Sequence, residues 1–363
     1  MRARITINGR FLTRRATGVE RFAKELLQAW WDGGATAEAV RIVAPGGTVP
    51  VDTQGLGIPL ESLGALRGHA WEQLELPQHC RGDMLVNLCN SGPLSHESQL
   101  AVLHDAGPVA IPSAYGFAYR NWHRWMLHGL MRRARIVATV SRFSASGLMR
   151  YFGRKARSIE IIYEGGEHIL RAPADARILE RLGLERGRYV LAVGSRSPNK
   201  NFAAVAVAAS LLRDLHVKVV AVGGHNPRVF ARTDSKAEEE SLVMAGYTSD
   251  SELRALYEHA QCFVFPSHYE GFGLPPLEAM HCGCPVVVSS RSALPEICGE
   301  AAAYCDPDSP ADIAQQLRRV ITSAALQQEL REAGFARAAQ FSWKQAAARL
   351  EELLCSGPLG EPA

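Results

Sequence analysis

The chain has no apolar run long enough to cross a membrane. Its longest nearly apolar stretch, Phe202 to Leu212, is about half of a span. The opening residues, Met1-Arg-Ala-Arg-Ile-Thr-Ile7, lack the apolar core and cleavage site of a secretory signal, so export by that route is not expected. Eight cysteines lie at 80, 89, 262, 282, 284, 298, 305 and 355; no pair has Cys-x-x-Cys spacing, and Cys282-Gly-Cys284 is tighter still. That argues against a zinc ribbon or thioredoxin-like motif and makes ordinary reduced thiols in a cytoplasmic protein the expectation. There is no short internal repeat and no low-complexity tract, and no glycine loop has the spacing of a P-loop nucleotide hydrolase.

What the chain does contain is the material for two cores. Of its 363 residues, 47% are hydrophobic and 21% charged, a globular balance at a length suited to two domains. The net charge of +3 divides unevenly: residues 1–168 hold 20 Lys and Arg against 14 Asp and Glu, and the remainder 20 against 23. Chance accounts for such a split as readily as a function does. The functional reading is that the first half meets an anion, such as a phosphorylated substrate or a membrane surface. No nucleic-acid partner is expected.

Short β-rich runs alternate with helical patterns. Candidate strands are Arg4–Asn8, Val40–Ala44, Met84–Leu88, Leu100–Leu103 and Ile136–Val140, followed by Tyr189–Val193, Val217–Val222, Cys262–Phe265 and Pro285–Val288. Between them, Val19–Trp31, Phe202–Asp214, Ser249–His259 and Pro276–His281 read as helices, and Gly9–Thr17 as a basic loop. This grammar predicts parallel sheets covered by helices, in two tandem units that meet between His168 and Arg188.

In such sheets ligands gather beyond the carboxyl ends of the strands. The densest loop there runs Pro266-Ser-His-Tyr-Glu-Gly-Phe-Gly-Leu-Pro-Pro-Leu-Glu278. Gly271 and Gly273 permit close approach to backbone amides, a helix start after Pro275 and Pro276 offers N–H groups to an anion, and Glu270 and Glu278 can accept from sugar or ribose hydroxyls. A tight strand-to-helix turn with two surface carboxylates is the plainer alternative. Gly194-Ser-Arg-Ser-Pro-Asn-Lys-Asn201 reads either as a phosphate cradle or as a surface turn. Weaker candidates are His104-Asp105, Gly223–Pro227 and Gly18 at a helix start. Trp122–Arg135 combines aromatics with arginines and reads as a membrane-surface helix or as a domain helix with a solvated basic face.

The segment from Pro266 to Met280, with Gly283–Val288 and Leu294-Pro-Glu296, closely resembles the donor-binding region of the family 4 glycosyltransferases. Val193–Asn201, Gly246–Leu253, Thr139–Arg142 and Phe341-Ser-Trp343 extend the likeness over most of the chain. Asn8-Gly-Arg-Phe and Thr17–Arg21 resemble the subgroup of bacterial surface-polysaccharide synthesis, which includes mannosyl- and rhamnosyltransferases. The resemblance implies the α/β GT-B fold: two Rossmann-like domains with parallel sheets facing a central cleft. Residues 1–170 would form an acceptor-binding domain and 171–342 a nucleotide-sugar-binding domain, with a last helix, about 343–356, crossing back to the first.

It further implies a retaining, metal-independent hexosyltransferase. Glu270 would contact the transferred sugar, Glu278 the ribose, and the amides of Gly271, Phe272, Gly273 and Leu274 the sugar and diphosphate. Lys200 would neutralise the diphosphate, with Arg196 displaced by one residue from the family's arginine position, which Ser195 fills. Tyr247 and Thr248 would border the base, His104 would sit near the anomeric centre and Gly18 near the phosphates. No metal or other cofactor is implied, and the only Asp-x-Asp spacing, Asp306-Pro-Asp308, falls in a late turn. The implied partners are a GDP-, UDP- or dTDP-linked sugar and a saccharide or polyprenyl-diphosphate-linked acceptor, with the enzyme cytoplasmic or peripheral on the inner membrane face. The alternatives are a nucleotide-sugar epimerase or hydrolase of the same fold, and a non-catalytic binding protein.

Overall fold

The computed structural model describes residues 4–14, 17–35, 40–47, 56–153, 158–194, 197–223 and 242–356. The chain divides into two compact units, one of residues 1–164 with 343–363 and one of residues 165–342.

The first unit is built on seven strands: β1 (Ile5–Asn8), β2 (Val40–Pro45), β3 (Leu60–Leu63), β4 (Met84–Asn87), β5 (Gln99–Val102), β6 (Ile136–Thr139) and β7 (Glu160–Ile161). All pair in parallel in the order β3-β2-β1-β4-β5-β6-β7. β4 and β5 are buried along their whole length, as parallel strands covered on both faces must be. The helix Gly18–Asp32 turns Phe22, Leu26 and Leu27 inward. The terminal helix Trp343–Ser356 belongs to this unit: Trp343 is buried, meets Phe22 at an angle, and Arg349 reaches Glu160 at 2.7 Å.

The second unit has six strands: β8 (Tyr189–Val193), β9 (Lys218–Val222), β10 (Leu242–Gly246), β11 (Cys262–Phe265), β12 (Val286–Ser289) and β13 (Ala303–Cys305). Their order is β10-β9-β8-β11-β12-β13, again parallel throughout. Ser249 starts the helix Asp250–His259 with a capping box: its hydroxyl accepts from the Glu252 amide, and the Glu252 carboxylate accepts from the Ser249 amide.

Several expectations are corrected. The division falls after Glu164 rather than at 170, because the turn Glu167–Leu170 packs on the helices of the second unit. Gly9–Thr13 is not a solvated loop but a short 3-10 helix with Gly9 through Leu12 buried. The helix from Phe202 ends at Ser210, where Leu211 and Leu212 turn into a second 3-10 segment, Arg213–Leu215. Among the described residues all eight cysteines are free thiols; burial pushes that of Cys262 up to about 12, so it is inert.

Candidate active site

The second sheet reverses its strand order between β8 and β11. The chain runs outward from β8 to β9 and β10 on one side, and from β11 to β12 and β13 on the other. Loops leaving β8 and β11 therefore diverge at a topological switch point, the usual place for a ligand. Sequence spacing puts Lys200 after β8 and Glu270 after β11, and the fold joins them. Lys200 Nζ donates to both Glu270 oxygens, at 2.7 and 2.8 Å. The ammonium also lies 5.2 Å from the centroid of the Phe265 ring. Both side chains retain some exposure, 19% and 11%.

The two loops are stitched together by backbone and amide contacts. The His268 amide donates to the Asn199 carbonyl at 2.8 Å, and the Asn199 side chain donates to the Tyr269 carbonyl at 3.0 Å. Asn201, itself left-handed, donates to the carbonyls of Pro266 and Pro307. Ser292, also left-handed at φ 59°, accepts the Glu270 amide at 3.1 Å. The Glu270 carboxylate is thus positioned from both ends of its residue.

The helix Leu274–His281 begins two residues earlier than the expected Pro276. Pro275 and Pro276 occupy its first turn and have no N–H to give. The loop residues Gly271 to Gly273 lead into this end. Gly273 is left-handed at φ 115°, and a methyl group there would come within 2.7 Å of Leu294. Phe272 is buried edge-on against Phe341.

Glu278 does not stand open to solvent. His168 Nε2 lies 2.9 Å from one oxygen, and the Tyr257 hydroxyl donates to the other at 3.1 Å. Burial, and then the Glu278 charge, push the Tyr257 hydroxyl far above its ordinary value, so it remains a donor. Neither partner was legible in the sequence: His168 lies 110 positions away, on the turn reassigned to this unit. Ser292 carried no motif either.

Tyr247 is exposed and Thr248 half-buried just beyond β10. Ser195 and Arg196 lie outside the described residues, as does Gly224–Pro227. Gly223 is described: a methyl group there would strike the Gly194 carbonyl oxygen, so the ends of β8 and β9 approach backbone to backbone. Asp306 and Asp308 both receive the Arg291 guanidinium, at 2.9 and 2.6 Å.

In the first unit His104 is buried after β5. Its Nε2 lies 2.9 Å from the Leu88 carbonyl, its Nδ1 3.8 Å from Glu164, and its ring edge-on to Phe22. Burial lowers its pKa, but the Glu164 carboxylate, the Leu88 carbonyl and the Asp105 charge together outweigh that and the net shift is upward. Asp105 is turned to cap the Gly107 amide at 2.6 Å, so the two neighbours do not act as one dyad. Gly18 opens its helix with open space where a side chain would be, so no close approach demands glycine there.

Two all-parallel α/β units, the second with a lysine–carboxylate pair and a glycine-rich amide loop at its switch point, define a GT-B glycosyltransferase. Residues 176–337 match the model of the family "Glycosyl transferases group 1". The chain is 30% identical over 262 residues to an O-antigen chain mannosyltransferase B of Escherichia coli, covering 69% of each protein. It belongs to that family. It is also 34% identical to a serotype-specific mannosyltransferase WbdA of Escherichia coli, of whose length it spans 32%. Among solved structures it is similar to WaaG, a glycosyltransferase involved in lipopolysaccharide biosynthesis (TM-score 0.70, 16% identity, 97% of this chain and 100% of that one). It is likewise similar to Anabaena Alr3699/HepE in complex with UDP and glucose (TM-score 0.74, 16% identity, 98% and 100%).

Proposed function

We propose that the chain transfers a hexose, mannose by the names of its relatives, from a nucleoside-diphosphate sugar to a saccharide acceptor in surface-polysaccharide synthesis. The acceptor is carried on a polyprenyl diphosphate at the inner face of the membrane, the anomeric configuration is retained, and no metal takes part. The observation that carries this reading is the Lys200–Glu270 pair beside the Gly271–Leu274 amides.

The pair supplies what each half of the donor needs. Lys200 exchanges Glu270 for the diphosphate and meets the negative charge that develops as the C1–O bond to phosphate breaks. The carboxylate so released accepts from hydroxyls of the departing sugar. The amides of Gly271 to Leu274 are assigned to the sugar and the diphosphate. Glu278, oriented by His168 and Tyr257, keeps lone pairs for the ribose. The new bond forms on the same face of C1, and the acceptor's proton passes to the leaving phosphate. Ser195, Arg196, Tyr247 and Thr248 are assigned to the phosphates and base, His104 to the anomeric centre and Gly18 to the phosphates, as the resemblance implies.

A thermal-shift panel of GDP, UDP and dTDP and their sugars, run in chelator, tests the reading. One nucleotide family is expected to raise the melting temperature of the wild type by mass action, and to raise that of Lys200→Ala and Glu278→Ala less. A folded wild type that responds to none of them contradicts it.

A further inference from the structure

His104 follows β5, and residues at the ends of three neighbouring strands engage its polar atoms. The Asn90 side chain, beyond β4, accepts its amide at 2.7 Å, and the Thr139 hydroxyl, at the end of β6, donates to its carbonyl at 3.4 Å. On the ring, Nε2 lies 2.9 Å from the Leu88 carbonyl, and Nδ1 lies 3.8 Å from the carboxylate of Glu164, which follows β7. Both side chains are only 6% exposed.

A carbonyl oxygen can only accept, so Nε2 carries a proton. A neutral ring protonated there would aim the lone pair of Nδ1 at a buried carboxylate; a second proton turns that repulsion into an ion pair. Burial disfavours the charge. The two carboxylates that act on the ring, Glu164 and more weakly Asp105, favour it together with the Leu88 carbonyl, and the net shift is upward. Glu164 is also the last residue of the first unit, and Gly165 opens the second. The chain returns at Trp343, which meets Phe22, and Phe22 in turn lies edge-on to His104 at 4.7 Å. The exit and the return of the chain are thus fastened to one buried cluster around this ring.

We propose that Glu164 is the positioning residue for His104, holding its ring as an imidazolium with no lone pair to act as a base. The ring's charge follows from the contacts above; its effect on catalysis rests on the glycosyl-transfer reading. Where the resemblance puts His104, near the anomeric centre, a fixed cation stabilises the negative charge that leaves with the diphosphate. The acceptor's proton has to go elsewhere, which agrees with its passage to the leaving phosphate.

Proton–nitrogen NMR of the full chain, labelled at histidine nitrogen, tests it, with His104 assigned by the signal that His104→Gln removes. At about pH 7.5, one unit above the ordinary value of 6.5, wild-type His104 is expected to show two protonated nitrogens. In Glu164→Gln one of them becomes unprotonated, and Glu164→Asp, which keeps the charge, restores the wild-type pattern. Transfer is read alongside. In Glu164→Gln kcat falls about tenfold or more at that pH, because at most about one ring in ten keeps its second proton, while KM for the nucleotide sugar holds. The deficit shrinks as pH is lowered and the ring regains its charge. An unprotonated nitrogen in wild-type His104 overturns the proposal, whether or not Glu164→Gln folds. So does a Glu164→Gln ring that stays doubly protonated, or a deficit equal at every pH, the mark of a merely structural role. Failure of the transfer reading is separate: the wild type then makes no product, and the spectra still decide the ring's charge.

Discussion

Lys200 and Glu270 are 70 positions apart, yet each was legible because each follows a strand. A cation after one strand and a carboxylate after another converge when the strands are neighbours at a switch point. Their direct pairing was not legible, since it depends on the left-handed turns at Asn201 and Ser292. Under the proposed function Lys200 meets the diphosphate, so Lys200→Ala is expected to lower transfer about a hundredfold or more, measured as nucleotide release. Glu72 makes a prediction of a different kind. Burial alone would raise its carboxyl, but the hydrogen bonds from His69 and Asn8 and the Arg10 charge outweigh that and hold it at about 2. A carboxyl lower in the folded chain than in the unfolded one stabilises the fold above its ordinary value of 4.5, and that stability drains away as pH falls toward 2. The stake is on the order of 3 kcal/mol. Urea melts over that range are expected to fall steeply for wild type, and Glu72→Gln to flatten the acid limb while lowering stability at neutral pH.

The parallel strands were the easiest elements to foresee: Tyr189–Val193 and Cys262–Phe265 stand where their β-branched and aromatic runs placed them. Among the strands that escaped are β3, β10 and β13. Leu60-Glu-Ser-Leu63 is an edge strand with exposed positions, and Ala303-Tyr-Cys305 is three residues long, so neither concentrates enough apolar character to stand out. The helix Leu274–His281 owes its start to Gly273, which turns the chain into it with φ 115°. Gly273→Ala is expected to cost about 1–3 kcal/mol from backbone strain, with a further cost as Leu294 gives way. A lowered melting temperature together with weaker nucleotide binding would be the signature, because the same turn aims the loop amides.

At the scale of the molecule, the chain leaves its first unit at Glu164 and returns to it at Trp343. The motif Phe341-Ser-Trp343 announced the last helix, but the boundary near 165 had no such marker. Glu167–Leu170 is only four residues long, and only its packing assigns it to the second unit. Trp343 is buried against Phe22, so Trp343→Ala is expected to cost about 3–5 kcal/mol. The loss should appear in the unfolding of the first unit, while nucleotide binding by the second persists; equal loss of both transitions would contradict the two-unit division. Among the described residues no helix is long and apolar enough to cross a membrane.

The most direct measurement is transfer itself. Wild type and Lys200→Ala are incubated in chelator with the nucleotide-sugar panel and mannose-terminated acceptors, and the product's anomeric protons are read by NMR. The account predicts a glycoside of retained configuration, formed without added metal and nearly abolished in Lys200→Ala. A product of inverted configuration, a strict need for divalent metal, or undiminished transfer by Lys200→Ala would contradict it.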